Sequence, residues 1–146
     1  ALGAIRYAFL KYRIGGNIEF NAEESVSMTG NSGVYLQYSG VRAKKMLAKC
    51  AKVVGDFSAN MVPEERDLIL KSLEYKKVLA EAIHDLAPHK IANYLYELAQ
   101  VFSRFYENVK VAGSEREAEL AQVVKVYLMT LTHGLNLLGI EIPEEM

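Results

Sequence analysis

The stretch GNSGVYLQYSGVRAKKMLAKCAKVV, residues 30–54, decides the fold, because a turn and a long helical pattern follow each other within it. Residues 29–33 include types that tolerate positive φ, and they predict a turn. From Val34 onward, apolar and small residues recur at the spacing of a core-facing helical stripe. This stripe consists of Leu36, Ala43, Leu47, Cys50, Ala51 and Val54. The pattern therefore predicts a helix over 34–54, which Gly55 is expected to end.

The opposite side of this predicted helix carries aromatic rings followed by cations. At about 100° per residue, six such side chains fall within one arc of about 100°. They are Tyr35, Tyr38, Arg42, Lys45, Lys49 and Lys52. RNA bases stack on aromatic rings, and Arg or Lys side chains bind phosphates, so the arc indicates a nucleic-acid surface. Tyrosines that pack at the edge of a core and lysines that merely solubilise a helix would give the same pattern.

The residues before this stretch predict one helix and one short helical turn. Apolar positions over residues 2–12 predict the first helix, and the pair at 15–16, two glycines, is expected to end it. Asn21 is expected to cap the short helix that follows. In the first helix we expect four side chains to face the core: Leu2, Ile5, Phe9 and Leu10.

Prolines and glycines divide the rest of the chain into further helices. Pro63 opens one helix to about residue 75, and another runs on to residue 86. Pro88 opens a long helix, and Ser114 is expected to cap the last one, which ends at Gly139. The predicted buried stripes are Ile91, Leu95, Leu98, Phe102, Phe105 and Val109 in the first of these two helices, and Leu120, Val124, Tyr127, Leu131 and Leu138 in the second. The sequence thus predicts an all-α helical bundle with short connections.

The composition is that of one ordinary globular domain. The chain has 146 residues, of which 51% are hydrophobic and 24% are charged. Because the net charge is −1, a nucleic acid would have to be held by a local basic patch and not by the field of the whole protein. No apolar run approaches the roughly 18 residues that span a bilayer, so we expect no membrane segment. The single Cys50 and the three scattered histidines indicate neither a disulfide nor a metal site, and a reducing cytoplasm is the expected compartment.

Enzymatic interpretations of the sequence have little support. His84 and Asp85 could be a base and its orienting carboxylate, but neighbours on a helix point about 100° apart, so we expect no hydrogen bond between them. The glycines near residues 15 and 30 lack the strand-then-helix context of a phosphate loop.

Three segments of the chain resemble the C-terminal part of arginyl-tRNA synthetases. They are residues 30–42, 88–99 and 137–146, which read GNSGVYLQYSGVR, PHKIANYLYELA and LLGIEIPEEM. The resemblance covers essentially the whole chain. It implies that residues 31–146 form the helical anticodon-binding domain of these class I synthetases, often called the DALR domain. It also implies that residues 1–30 form the link that follows a catalytic domain absent from this chain.

The resemblance implies a site as well as a fold. In the family, the pattern Y-x-x-Y-x-x-x-R lines the anticodon-loop site, and it corresponds to Tyr35, Tyr38 and Arg42 here. A tyrosine late in the aromatic helix and the C-terminal methionine also approach the anticodon loop, which implies roles for Tyr106 and Met146. The implied partners are arginine tRNA, chiefly its anticodon loop, and the catalytic domain of the parent enzyme, without DNA. The chain departs from the family in one place, where Glu119 stands in a position that usually holds arginine.

The resemblance also implies what this chain does not do. The His-x-Gly-His and Lys-Met-Ser-Lys-Ser-like segments that hold ATP in class I synthetases are absent from the sequence. We therefore expect no cofactor here, with ATP and arginine bound by the catalytic domain. A helical protein-interaction module is the alternative, since Tyr35, Tyr38 and Arg42 are also residue types that anchor partner proteins. The salt dependence of binding separates the two functions.

Overall fold

The computed structural model describes residues 2–51 and 60–146, which contain seven α-helices and no strand. The helices are α1 (Leu2–Leu10), α2 (Ala22–Ser25), α3 (Gly33–Ala48), α4 (Pro63–Leu73), α5 (Tyr75–His84), α6 (Pro88–Asn108) and α7 (Glu117–Leu137). The predicted all-α class is therefore confirmed. Lys52, Val54 and Gly55, which the sequence assigned to the long helix and its end, lie outside the described residues.

Helix α6 is the centre of the bundle. It packs against α3, α4, α5 and α7. The ring of Phe102 stacks on that of Tyr127 from α7, with the ring centroids 4.0 Å apart and the planes within 6° of parallel. Each large apolar side chain buried in this way contributes about 1.5–3 kcal/mol. All predicted stripe residues on α6 and α7 are buried, except Val109, which is half-buried.

Helix α3 packs its predicted stripe inward but is shorter than predicted. Leu36 and Ala43 are fully buried, whereas Ala51 is exposed. The helix ends at Ala48, where the amide of Lys49 donates a hydrogen bond to the carbonyl of Met46 and so tightens the last turn. Just beyond it, the amide of Ala51 donates a hydrogen bond to a carboxylate oxygen of Glu117 at 2.8 Å. The end of the helix is thus set by a contact from α7, which no local sequence signal reveals.

The predicted inward face of α1 is wrong for Leu2, Ile5 and Phe9, whereas Leu10 is partly buried against the core. Leu2 and Phe9 are 59% and 47% exposed, and the residues that face the bundle are Ala4, Tyr7 and Ala8. The small side chains let α1 approach the start of α3 closely, since a Cβ built on Gly33 would lie 2.8 Å from the Cβ of Tyr7. Leu2, Ile5 and Phe9 therefore remain on the outer surface.

The start of α7 also differs from the prediction. Ser114 does not cap the helix, because its hydroxyl donates to the carbonyl of Val111 at 2.8 Å. The helix begins after Arg116, whose guanidinium contacts Glu65 at 2.9 Å and Glu119 at 2.6 Å. Both carboxylates are almost completely buried. Their hydrogen bonds to the guanidinium, first that of Glu119, raise the pKa of Arg116, and their charges add to the effect. Glu119, the residue that departs from the family pattern, is thus one of two buried carboxylates that share the partly exposed Arg116.

The link between α5 and α6 corrects a further expectation. The Nδ1 atom of His84 lies 2.7 Å from a carboxylate oxygen of Asp85, so the two side chains do hydrogen-bond. Asp85 is the C-cap of α5, where the angular rule for neighbours inside a helix no longer applies. Both residues are exposed, and Asp85 also pairs with Lys90. Leu86 then adopts a positive φ of 51°.

Candidate nucleic-acid interface

Helix α3 presents its aromatic and basic side chains because its start and its inner face are both held in place. The hydroxyl of Ser32 accepts a hydrogen bond from the amide of Tyr35 at 3.0 Å, and this contact caps the helix. On the inner face, the hydroxyl of Ser39 lies 2.7 Å from that of Tyr127. Burial raises the pKa of the Tyr127 phenol, which therefore stays neutral and hydrogen-bonded. With this face fixed on α7, the opposite arc points outward.

One surface cleft of about 400 Å³ brings most of the predicted site residues together. Helix α3 forms most of the cleft, and the last turns of α6 supply Tyr106. Its lining consists of Tyr38, Val41, Arg42, Lys45, Ala48, Lys49 and Tyr106. Val41 and Ala48 were not predicted, because apolar and small residues on the border between two helical arcs carry no signal for a ligand.

The guanidinium of Arg42 lies between two aromatic rings of the cleft. Its central carbon is 3.8 Å from the ring centroid of Tyr106 and 5.6 Å from that of Tyr38. Tyr106 also contacts the core ring of Phe102, with centroids 6.0 Å apart, so its position is tied to the bundle. Because the guanidinium is planar and its faces meet the rings, its N–H donors remain available at its edge. The same contacts hold both rings in place.

Among the described residues, the cations of the cleft have no acidic partner. Arg42, Lys45 and Lys49 form no salt bridge with any carboxylate in residues 2–51 and 60–146. Lys45 and Lys49 are exposed, and Tyr106 is 38% exposed. The cleft is therefore a local basic patch with accessible rings on a chain of net charge −1. Such a patch suits stacked bases with nearby phosphates.

Tyr35 does not line this cleft, although the sequence put it on the same arc. It is half-buried between α3 and α6, with its hydroxyl 3.1 Å from that of Ser103. Its ring meets the edge of the Tyr96 ring at a centroid distance of 5.8 Å. These contacts of Tyr35 tie α3 to α6.

Met146 is also outside the cleft lining. Its side chain is 41% exposed. The residues just before it lie along α3, where Glu144 forms a salt bridge with Lys44 at 2.7 Å. The C-terminus is therefore held on the same helix that carries the cleft.

Two further properties of the described residues bear on function. None of the helices found in residues 2–51 and 60–146 is long and apolar enough to cross a membrane. Within the same ranges, no group of three or more His, Cys, Asp or Glu side chains is arranged to hold a metal ion.

The family model and the curated relatives that match this chain indicate the same family. The DALR anticodon binding domain family matches residues 36–146. The arginine–tRNA ligases of Frankia casuarinae and Thermobifida fusca are 36% and 35% identical over 99% of this chain, which covers 25% and 26% of their lengths. The chain therefore spans about a quarter of the curated relatives that it matches.

Solved structures resemble the chain over the same extent. The arginyl-tRNA synthetase of Thermus thermophilus matches with a TM-score of 0.84 and 34% identity, over 99% of this chain and 26% of that one. A putative arginyl-tRNA synthetase from Campylobacter jejuni matches with a TM-score of 0.90 and 28% identity, over 99% of this chain and 33% of that one.

Proposed function

Since the chain belongs to the DALR anticodon binding domain family, as its three diagnostic segments predicted, we propose that it binds the anticodon loop of arginine tRNA. The observation that carries this proposal is the guanidinium of Arg42 between the rings of Tyr38 and Tyr106, in a cleft whose lysines have no carboxylate partner among the described residues. The protein-interaction module considered from the sequence is not favoured by these similarities.

Each side chain has a distinct role in the proposed complex. Loop bases are read when they leave the stack, so Tyr38 and Tyr106 provide the rings on which they stack. Arg42 supplies donors to a base edge, and Lys45 and Lys49 bind the phosphates. Tyr35 and Met146 contribute indirectly, through the packing of α3 on α6 and through the chain segment held along α3.

The bases that such a site must read follow from the genetic code. Arginine codons begin with CG or AG, so every arginine anticodon has cytosine at its middle position, while the flanking positions vary. A reader common to all of them therefore has to require the middle base. We expect replacement of this cytosine to weaken binding by about 1–3 kcal/mol, the value of one specific base contact, and replacement of the first anticodon base to matter less.

The proposal includes a larger protein around the chain. Here the chain is the RNA-reading part of a cytoplasmic arginine–tRNA ligase, whose catalytic domain binds ATP and arginine. The outer face of α1 is suited to contact that domain, because Leu2, Ile5 and Phe9 are exposed there and Phe9 stacks on Phe20 at 5.7 Å between centroids. Residues 1–30 would then be the link between the two parts.

Binding to anticodon stem-loops tests the proposed function directly. The assay is fluorescence anisotropy with a labelled RNA hairpin of an arginine tRNA, the same hairpin with the middle base changed, and a DNA hairpin of the same sequence. We expect preference for the first RNA, and affinity that falls steeply between about 50 and 200 mM salt.

Two lysine variants complete the design. Lys45→Ala should flatten the salt dependence by about 0.7 in the slope of log K against log salt, because one cation is lost from the cleft. Lys76→Ala is the matched control, because this exposed lysine lies on α5, which packs on α4 and α6 instead of forming the cleft. Equal binding of all three hairpins would refute the proposed function.

A further inference from the structure

The last seven residues of the chain form a segment that is fastened along α3. We call Ile140–Met146 the C-terminal strap. Gly139 has a φ of +70°, and the amide of Ile140 donates to the carbonyl of Leu135 at 2.9 Å, which turns the chain away from the end of α7. Ile140 is completely buried, so the strap starts from a fixed point in the core.

One stripe of α3 holds the strap. Gln37 donates its side-chain amide to the carbonyl of Glu141 at 2.7 Å. One turn further on, Ile142 lies against Gly40, and Lys44 follows after one more turn. Contacts at this spacing along one helix face indicate a built seat for the strap and not a single chance contact.

Gly40 is the part of the seat that only glycine can supply. A Cβ built there would lie 2.6 Å from Cδ1 and 2.9 Å from Cγ2 of Ile142. Glycine inside a helix costs about 1 kcal/mol relative to alanine. The cost is explained here by the space that glycine leaves for Ile142, and a methyl group at this position would push the strap away from the helix.

The strap binds the ammonium group of Lys44. The ammonium donates to the carboxylate of Glu144 at 2.7 Å and to the carbonyls of Ile142 and Pro143 at 3.5 and 3.4 Å. Three acceptors match the three donors of a lysine. Lys44 therefore differs from its neighbour Lys45, which has no such partner among the described residues.

The strap stripe borders the RNA cleft. At about 100° per residue, Lys44 lies within about 60° of Val41 and Ala48, which line the cleft, on the side away from Lys49. A free ammonium at this place would be one more phosphate ligand at the edge of the basic patch.

We propose that the strap limits the RNA site by withholding Lys44 from phosphates, and that Gly40 is a positioning residue that acts through Ile142. This inference rests on the proposed function. With the strap seated, the register of a bound RNA is set by Arg42, Lys45 and Lys49. With the strap displaced, Lys44 joins them and adds affinity that carries no sequence information.

The test measures the slope of log K against log salt for binding of the RNA hairpin to the 146-residue chain and three variants. Gly40→Ala should displace the strap and steepen the slope by about 0.7, because one more cation reaches a phosphate. Adding Lys44→Ala to Gly40→Ala should return the slope to that of the original chain. Ile142→Ala is the independent variant, since it withdraws the anchor without adding an atom to α3, and it should also steepen the slope.

The readout separates this inference from a general loss of structure and from the proposed function. An unfolded or distorted variant would bind more weakly with a flatter slope, whereas a displaced strap gives a steeper one. A slope that is unchanged or flatter in whichever of Gly40→Ala and Ile142→Ala retains a cooperative melting transition overturns the role of the strap. If the original chain itself does not bind the RNA hairpin, the proposed function fails and the strap inference fails with it.

Discussion

Replacement of Tyr106 by alanine is the sharpest test of the cleft, because this ring both stacks on a base in the proposed complex and holds Arg42. A base stacked on an aromatic ring is worth about 1–3 kcal/mol, and a partly exposed cation–π contact such as that of Arg42, at 3.8 Å, contributes about 0.5–1 kcal/mol. Tyr106→Ala should therefore weaken binding of the RNA hairpin by about 1–3 kcal/mol, since the loss of order in Arg42 overlaps with the loss of stacking.

The assay is the same anisotropy titration at two salt concentrations. Tyr106→Phe is the matched control, because it keeps the ring and removes only the hydroxyl, and its affinity should stay close to that of the original chain. The slope against salt should not change in either variant, since neither removes a cation. Because 38% of Tyr106 is exposed, thermal unfolding should show only a moderate loss of stability for the alanine variant. Unchanged affinity in Tyr106→Ala, or equal losses in the two variants, would refute the stacking role.

Four further outcomes are expected. Arg116→Ala should destabilise the chain by about 3–5 kcal/mol in urea unfolding, because it leaves the buried Glu65 and Glu119 without their cation; a loss below about 1 kcal/mol would contradict this. Leu86→Gly should stabilise the chain by about 1 kcal/mol, because the positive φ of 51° at this position is strained for leucine and relaxed for glycine. A rise in the melting temperature would show this, and no rise would contradict it. Lys90 and His84 lower the pKa of Asp85 to about 2, so its stabilising contribution is complete above about pH 4 and is lost as the pH falls through 2; Asp85→Asn should show a weaker dependence of stability on pH in this range. The chain alone should catalyse no arginine-dependent pyrophosphate exchange, and measurable exchange would contradict the assignment of ATP binding to another domain.

Local patterns predicted most of the helices. The stripe from Ile91 to Phe105 and the one from Leu120 to Leu138 are buried as expected, because helical periodicity depends only on residues three and four apart. Apart from the long helix and the start of α7, the predicted helix boundaries agree with the structure within about two residues.

The errors occur where a distant residue decides. Local hydrophobicity put Leu2 and Phe9 inside, but the bundle accepts the small face of α1 because α3 has a glycine where the two helices meet. At the end of α3, the side chain of Glu117 accepts a hydrogen bond from Ala51 across the bundle. Ser114 is an exception, because its hydroxyl donates to a carbonyl of its own loop.

The candidate site likewise has features that the sequence predicts and features that depend on tertiary contacts. The sequence by itself determined the family, the helix that carries the site and the arc on which Tyr38, Arg42, Lys45 and Lys49 lie, since these follow from motifs and from rotation about a single axis. The family resemblance also implied Tyr106, but only the tertiary structure decided that its ring packs on Arg42, that Tyr35 turns to Ser103, and that the strap engages Lys44. The physical reason is that a helical wheel gives the direction of a side chain, whereas its partner depends on which other element packs there.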